Sequence, residues 1–362
     1  MELPETIKDI TVEWLNQALH ENGFLKDAAI ISVGTEPIGI GQGFSSEMAR
    51  LKVTYEGNQP HLPATMIAKL PTSYAGISKL TRIANFYERE IRFYLEIAPR
   101  SPIRTPGLIY GGVDSENGRF VLLLEDCASY VLADPGMTGL DYEQTRLITV
   151  NMADFHTRWW DAPDLLSFPW MPKAHIDTGG RLFRKSWDAC IQMDEFKKIL
   201  PEGGLAAGAR IYEHYSWLMD NAPKDKLTIQ HNDLRSDNIF FDPENRDNPV
   251  VVFDWAMAYI ERGVGDIAFL LGTSLTTGLR RKVEKDLIRQ YHERLLAGGI
   301  SDYSFEQCRA DYLTALLFKT FVPVIAFARV DISDARSMEM WSRTINRWFS
   351  AIVDNDATCV LP

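Results

Sequence analysis

Asp233 and Asn238 stand five positions apart, and Asp254 closes the apolar run that follows them. An acid able to accept a proton, with an amide and a second acid offering oxygen to a hard cation, suits magnesium-assisted transfer of a phosphoryl group. The surrounding stretch reads LTIQHNDLRSDNIFFDPENRDNPVVVFDW from Leu227. Leu227, Ile229, Ile239, Phe240 and the run Val250 to Phe253 predict three short strands around a tight loop, with residues 243–248 as the hairpin between the last two. Polar residues at such strand ends can point into one cleft.

A second group lies in the N-terminal third. Gly39-Ile40-Gly41-Gln42-Gly43-Phe44-Ser45-Ser46 falls between apolar runs and predicts a glycine-rich loop between strands. Glycines let backbone N–H groups approach phosphate oxygens closely, although an ordinary hairpin would use the same residues. Next comes Thr65-Met66-Ile67-Ala68-Lys69-Leu70-Pro71, an apolar strand with one cation. A helix over 79–98 places Leu80, Ile83, Tyr87, Tyr94 and Ile97 on one face, with Glu90 in the middle of it. Glu88, Arg89, Arg92 and Glu96 fall outside that face. A carboxylate on a buried stripe is costly unless paired, and Lys69 is the obvious partner. The alternative is a Glu reaching solvent past a thin edge of the core.

Together these motifs resemble the protein-kinase-like superfamily, in its small-molecule branch of aminoglycoside phosphotransferases, choline kinases and ecdysteroid-kinase-like proteins. The likeness runs from about residue 30 to residue 275. It implies an α+β, bilobal protein-kinase-like fold: an N-lobe over 1–127 with an antiparallel sheet and a helix, and a mainly helical C-lobe over 128–362. By the same resemblance Lys69, held by Glu90, contacts nucleotide phosphates that Gly41, Gly43 and Ser45 cover, and the backbone of Glu125, Asp126 and Cys127 meets adenine. Asp233 is then the base, Asn238 and Asp254 hold Mg2+, His231 fixes the catalytic loop, and Asp266 braces it. Asp254 is followed by Trp255-Ala256 in place of Phe-Gly, and Gly265-Asp266-Ile267-Ala268 arrives too soon for a peptide-docking activation segment. Asn232 and Arg235 replace the glycine and second histidine of the common H-G-D-L-H loop, which puts a glycine-like backbone at Asn232 in doubt.

Within the branch, Glu90 with Tyr94, the segment Leu122-Leu123-Leu124-Glu125-Asp126, and Ala153-Asp154-Phe155-His156 are similar to elements of the ecdysteroid-kinase-like group. His156 reads as a structural histidine. Trp159, Trp160, Trp170, Trp187, Trp217, Trp341 and Trp348 fall in the expected C-lobe, mostly as core. The expectation is an ATP- and Mg2+-dependent phosphotransferase acting on a hydroxyl of an apolar, sterol-like alcohol. An aminoglycoside- or choline-type kinase with a cationic acceptor is the alternative, and a nucleotide-binding pseudokinase the second, though the latter usually lacks one of Lys69, Asp233 or Asp254.

The 362 residues, 46% hydrophobic and 11% aromatic, suit two lobes with a substantial core. A net charge of −11 argues against nucleic acid or an anionic membrane as partner. Cys127, Cys190, Cys308 and Cys359 have neither metal-ligand nor disulfide-framework spacing, so a reducing cytoplasm is expected. No signal peptide or apolar run of spanning length is apparent. Helical patterns are expected from Thr11 to about Gly23, at 142–160, 181–222, 280–297 and 305–351, with 129–139 as the connector.

Overall fold

The computed structural model describes residues 2–38, 46–71, 85–114, 119–134, 138–172, 178–330 and 334–362. It divides into two compact units, Met1–Tyr130 with Val251–Met257, and Val131–Val250 with Ala258–Pro362.

In the first unit, α1 (Val12–Glu21) starts where the Thr11 hydroxyl accepts the Trp14 N–H, and the chain turns away at Gly23, whose φ of 78° favours glycine. Strands β1 (Ile30–Ile38), β2 (Ser46–Tyr55) and β3 (Thr65–Pro71) are followed by α2 (Phe86–Arg92), β4 (Leu108–Asp114) and β5 (Arg119–Glu125). The five strands form one antiparallel sheet in the order β1-β2-β3-β5-β4. Leu51, Met66, Ala68, Leu70, Val121 and Leu123 cover one sheet face and pack with Leu15 and Leu19 of α1. Strand side chains alternate between faces, so Ile67 and Lys69 point to the opposite side. That alternation, not the composition of the strand, aims the one cation of β3.

The helix predicted over 79–98 is shorter and irregular in its described part. Leu80 and Ile83 lie outside the described residues, and α2 passes at Phe93 into a π-helical turn, Phe93–Ile97. Tyr87, Glu90, Tyr94 and Ile97 are buried, but so are Arg89, Ile91 and Phe93. Arg89 therefore does not lie on an exposed face; it is buried with its guanidinium 5.3 Å from the Phe86 ring. The wider turn rotates Phe93 inward, where it stacks on Trp255 at 3.9 Å. A boundary drawn between residues 127 and 128 differs from these units, because Val251–Met257 packs with the first. The Phe93–Trp255 stack and the Val252 N–H donating to the Arg104 carbonyl at 2.9 Å tie that segment down.

The second unit opens with β6 (Val131–Leu132) and α3 (Tyr142–Trp159), the latter started by Asp141 and Gln144 exchanging side-chain and backbone hydrogen bonds. The expected helical run over 181–222 is three helices, α4 (Thr178–Cys190), α5 (Asp194–Ile199) and α6 (Gly204–Asp220). Pro201 and Gly203, whose φ is 79°, break it. Strands β7 (Thr228–Gln230), β8 (Ile239–Phe241) and β10 (Tyr259–Glu261) follow, β7 pairing antiparallel with β10 and β6 with β8, while β9 (Val250–Val252) runs into the segment that belongs to the first unit. The 243–248 hairpin is closed by the Asp242 N–H donating to the Pro249 carbonyl at 2.8 Å.

The remaining helices are α7 (Val264–Ser274), α8 (Thr277–Ala297), α9 (Phe305–Phe318), α10 (Phe321–Phe327) and α11 (Ala335–Asp354). The last three replace one expected run over 305–351. Phe305–Phe327 is long and apolar enough to cross a membrane by length and composition, which corrects the expectation that no such run exists. Leu316, Leu317, Val324 and Phe327 are buried in this unit, and the run bends at Lys319 and Thr320 between α9 and α10.

Candidate active site

Lys69 of β3 donates to both oxygens of Glu90, at 2.8 and 2.7 Å, and to Asp254 Oδ1 at 3.0 Å. Glu90 is 1% exposed, so the solvent-reaching alternative does not apply. Burial alone would lower the Lys69 ammonium, but the Asp254 and Glu90 carboxylates outweigh it and keep the group protonated. Burial raises the Glu90 carboxyl against the pull of Lys69. Asp254 has a φ of 62°, a left-handed conformation that Asp tolerates better than most residues. Its side chain is about a third exposed.

The side chains of the Glu125–Cys127 segment belong to the fold. Glu125 accepts the Gly107 N–H at 2.9 Å and the Tyr130 hydroxyl at 3.1 Å, while Arg50 Nε donates to Asp126 Oδ2 at 2.6 Å. The Cys127 thiol is buried and turns toward the Glu125 carbonyl at 3.9 Å. Gly41, Gly43 and Ser45 lie outside the described residues.

In the second unit, Asn238 Nδ2 donates to the Asp233 carbonyl at 2.9 Å and to Asp233 Oδ2 at 3.1 Å. With its nitrogen so engaged, Asn238 presents its amide oxygen to other partners. Arg235 Nε lies 3.1 Å from Asp233 Oδ1 and another guanidinium nitrogen 3.0 Å from Asp237, with the group over Trp341 at 5.4 Å. Asp266 Oδ2 accepts the His231 N–H at 2.7 Å, and Oδ1 accepts the Asn232 N–H at 2.8 Å. His156 places Nε2 3.3 Å from Asp266 and Nδ1 2.9 Å from the Tyr291 hydroxyl. His231 Nδ1 accepts the Asp233 N–H at 3.2 Å. The loop that carries Asp233 is thus held by one buried carboxylate and two histidines. Asn232 has a φ of 68°, so the glycine-like backbone survives the loss of glycine.

Burial would raise the Asp266 carboxyl, but the His156 hydrogen bond, the Lys319 charge and the nearby histidines hold it below the usual range. A depressed folded pKa gives stability that is present above the unfolded value and lost as pH falls through the folded one. Asp266→Asn is therefore expected to cost about 2 kcal/mol or more at neutral pH. Denaturant unfolding should show that deficit shrinking as pH drops below about 4; a deficit independent of pH would remove the charge from the account.

Sequence reasoning missed Lys319, which reaches Asn232, and Tyr291 behind His156. Lys319 left a trace, a lone cation in an apolar helical run; Tyr291 left none, because its partner is 135 positions away.

The phosphotransferase enzyme family model matches residues 77–304. The chain belongs to that family. Among solved structures, it is similar to a candidate aminoglycoside phosphotransferase from Ralstonia eutropha, at 16% identity and a TM-score of 0.57 over 97% of each chain. The GDP and kanamycin complex of APH(2″)-IIIa aligns at 16% identity and a TM-score of 0.54, covering 94% of this chain and 98% of that one. Choline kinase from Cryptosporidium parvum aligns at 12% identity and a TM-score of 0.52, covering 90% and 91%. At these identities the likeness establishes the protein-kinase-like α+β fold. No curated protein matches the chain in sequence.

Proposed function

We propose that this phosphotransferase moves the γ-phosphoryl group of ATP to a hydroxyl of a small, largely apolar alcohol. The observation that carries the kinase reading is the Lys69–Glu90–Asp254 cluster, a buried cation fixed between two carboxylates from distant parts of the chain. Such a cation neutralises nucleotide phosphates without moving at the moment of reaction. The donors suit magnesium, which takes one or two protein oxygens and leaves its other positions to phosphate and water. Asp254 would hold the ion by its carboxylate and Asn238 by its amide oxygen, and the bound ion would neutralise charge on the phosphate oxygens.

Asp233 takes the proton of the acceptor hydroxyl. The Asn238 amide and the Arg235 guanidinium each touch one of its oxygens and fix the carboxylate plane. Lys69 binds non-transferred phosphates, and main chain at Glu125 to Cys127 receives the base. Catalysis of this kind is mostly positioning and electrostatics.

Two observations support an apolar acceptor. The ecdysteroid-kinase-like pattern around Glu90, Glu125 and His156 is one. The other is the setting of Asp233, beside a guanidinium that itself lies over the Trp341 ring. A cation next to the base disfavours a polycationic acceptor, whatever the net charge of the whole surface. Kanamycin, bound with GDP in the structure of APH(2″)-IIIa, is a polycationic compound of the other kind. ATP consumption should therefore rise with at least one lipophilic alcohol and stay near background with aminoglycosides and choline. Phosphorylation of an aminoglycoside or choline, with none of the lipophilic set at matched concentration, would refute the acceptor class.

A further inference from the structure

We infer that Lys319 is a positioning residue for phosphoryl transfer: its ammonium holds the Asn232 side chain and so fixes the left-handed turn from which Asp233 projects. The inference rests on reading Asp233 as the base. At 68°, φ of Asn232 lies where L side chains are strained and asparagine is among the few that settle. The residue is buried and held at both ends. Its N–H donates to Asp266 Oδ1 at 2.8 Å, and its Oδ1 accepts from Lys319 Nζ at 2.7 Å. A glycine would enter this conformation freely and keep the N–H bond to Asp266, but would lose the side-chain tie; asparagine with a buried donor supplies that second anchor.

Lys319 follows the last turn of α9 and is fully buried, its N–H donating to the Ala315 carbonyl at 2.9 Å. Its ammonium lies over the Tyr259 ring at 5.2 Å and the Phe269 ring at 5.8 Å. Burial lowers the ammonium, and the carboxylates of Asp266, Glu261 and Asp233 oppose that. The first turn of α7 is cut to fit the lysine stem. A Cβ on Gly265 would come within 2.9 Å of Lys319 Cε and 2.5 Å of Gln230 Nε2. A buried cation is costly to keep where a methionine would fill the same space; here the Asn232 hydrogen bond and the charges of Asp266 and Glu261 offset that cost.

A double-mutant cycle separates this role from plain support of the core, using ATP with magnesium and the best alcohol acceptor found. Lys319→Met is expected to lower kcat on the order of 10- to 100-fold, with nucleotide KM nearly constant. In an Asn232→Gly background, where no side chain remains to be held, the same change should lower kcat by less than about threefold. Equal losses in the two backgrounds would overturn the proposal. If Lys319→Met does not fold, Asn232→Asp and Asn232→Ala are compared with Lys319 intact. The aspartate keeps an acceptor and should retain at least about tenfold more kcat than alanine; equal values overturn the proposal. Amide hydrogen exchange at Asn232 needs no acceptor alcohol. It should quicken when Lys319 is replaced in the Asn232 protein, and unchanged protection would overturn the proposal even if Asp233 proves not to be the base. An enzyme inactive toward every alcohol would sink the role of Asp233 while leaving the exchange result to decide the clamp.

Discussion

Asp233→Asn is expected to abolish phosphoryl transfer while nucleotide binding stays close to that of the unaltered protein. The substituted amide keeps the size of the carboxylate and an oxygen for the Arg235 contact at 3.1 Å. What it loses is the ability to take a proton, and removal of a positioned base typically lowers the rate about 10² to 10⁴-fold. Single-turnover kinetics with ATP in excess, beside calorimetric titration of the nucleotide, separate the two quantities. Turnover within a factor of a few of normal would remove Asp233 from the role of base. A parallel loss of nucleotide affinity would mean that the residue supports the fold of the loop instead.

The second large effect concerns Asp254. Asp254→Ala should weaken magnesium–nucleotide binding and activity together, because in the proposed mechanism its carboxylate serves the ion as well as accepting from Lys69. The metal requirement should rise by more than the roughly 10- to 100-fold that loss of an outer-sphere partner causes. Alanine is also strained at a φ of 62°, so Asp254→Asn is the matched control, since asparagine accepts that conformation and keeps one oxygen. Magnesium titrations of both variants decide it. An unchanged magnesium dependence in the alanine variant would assign Asp254 to holding Lys69 alone.

Much of the site was legible before the structure. Glu90 announced itself as a carboxylate on an apolar stripe, and a buried carboxylate requires a cation within reach. Lys69 stood alone in an apolar strand, so each predicted the other. The Asp233 to Asn238 spacing was readable because a short loop and its flanking strands fix it locally. The rest was invisible for physical reasons. A period of 3.6 cannot foresee a π turn, so Arg89 was placed outside the buried face when it is buried, and Phe93, also buried, was not assigned to that face. Lys319 meets Asn232 across 87 positions, and no local rule chooses among distant partners. The breaks within the helical runs were a different failure, since Pro201 and Gly203 were there to be read.

Because Val251–Met257 packs with residues before Tyr130, the first unit cannot be completed in the order in which the chain is made. About 120 residues separate the two pieces, and at a synthesis rate of about 5 to 20 residues per second the wait is roughly 6 to 24 s. During that interval the nascent chain holds Phe93 without its Trp255 lid and Lys69 without Asp254. Apolar surface and a half-matched ion pair are then open to chaperones and to neighbouring nascent chains. A ribosome pausing shortly before codon 251 would lengthen that exposure, and one pausing just after the segment emerges would end it.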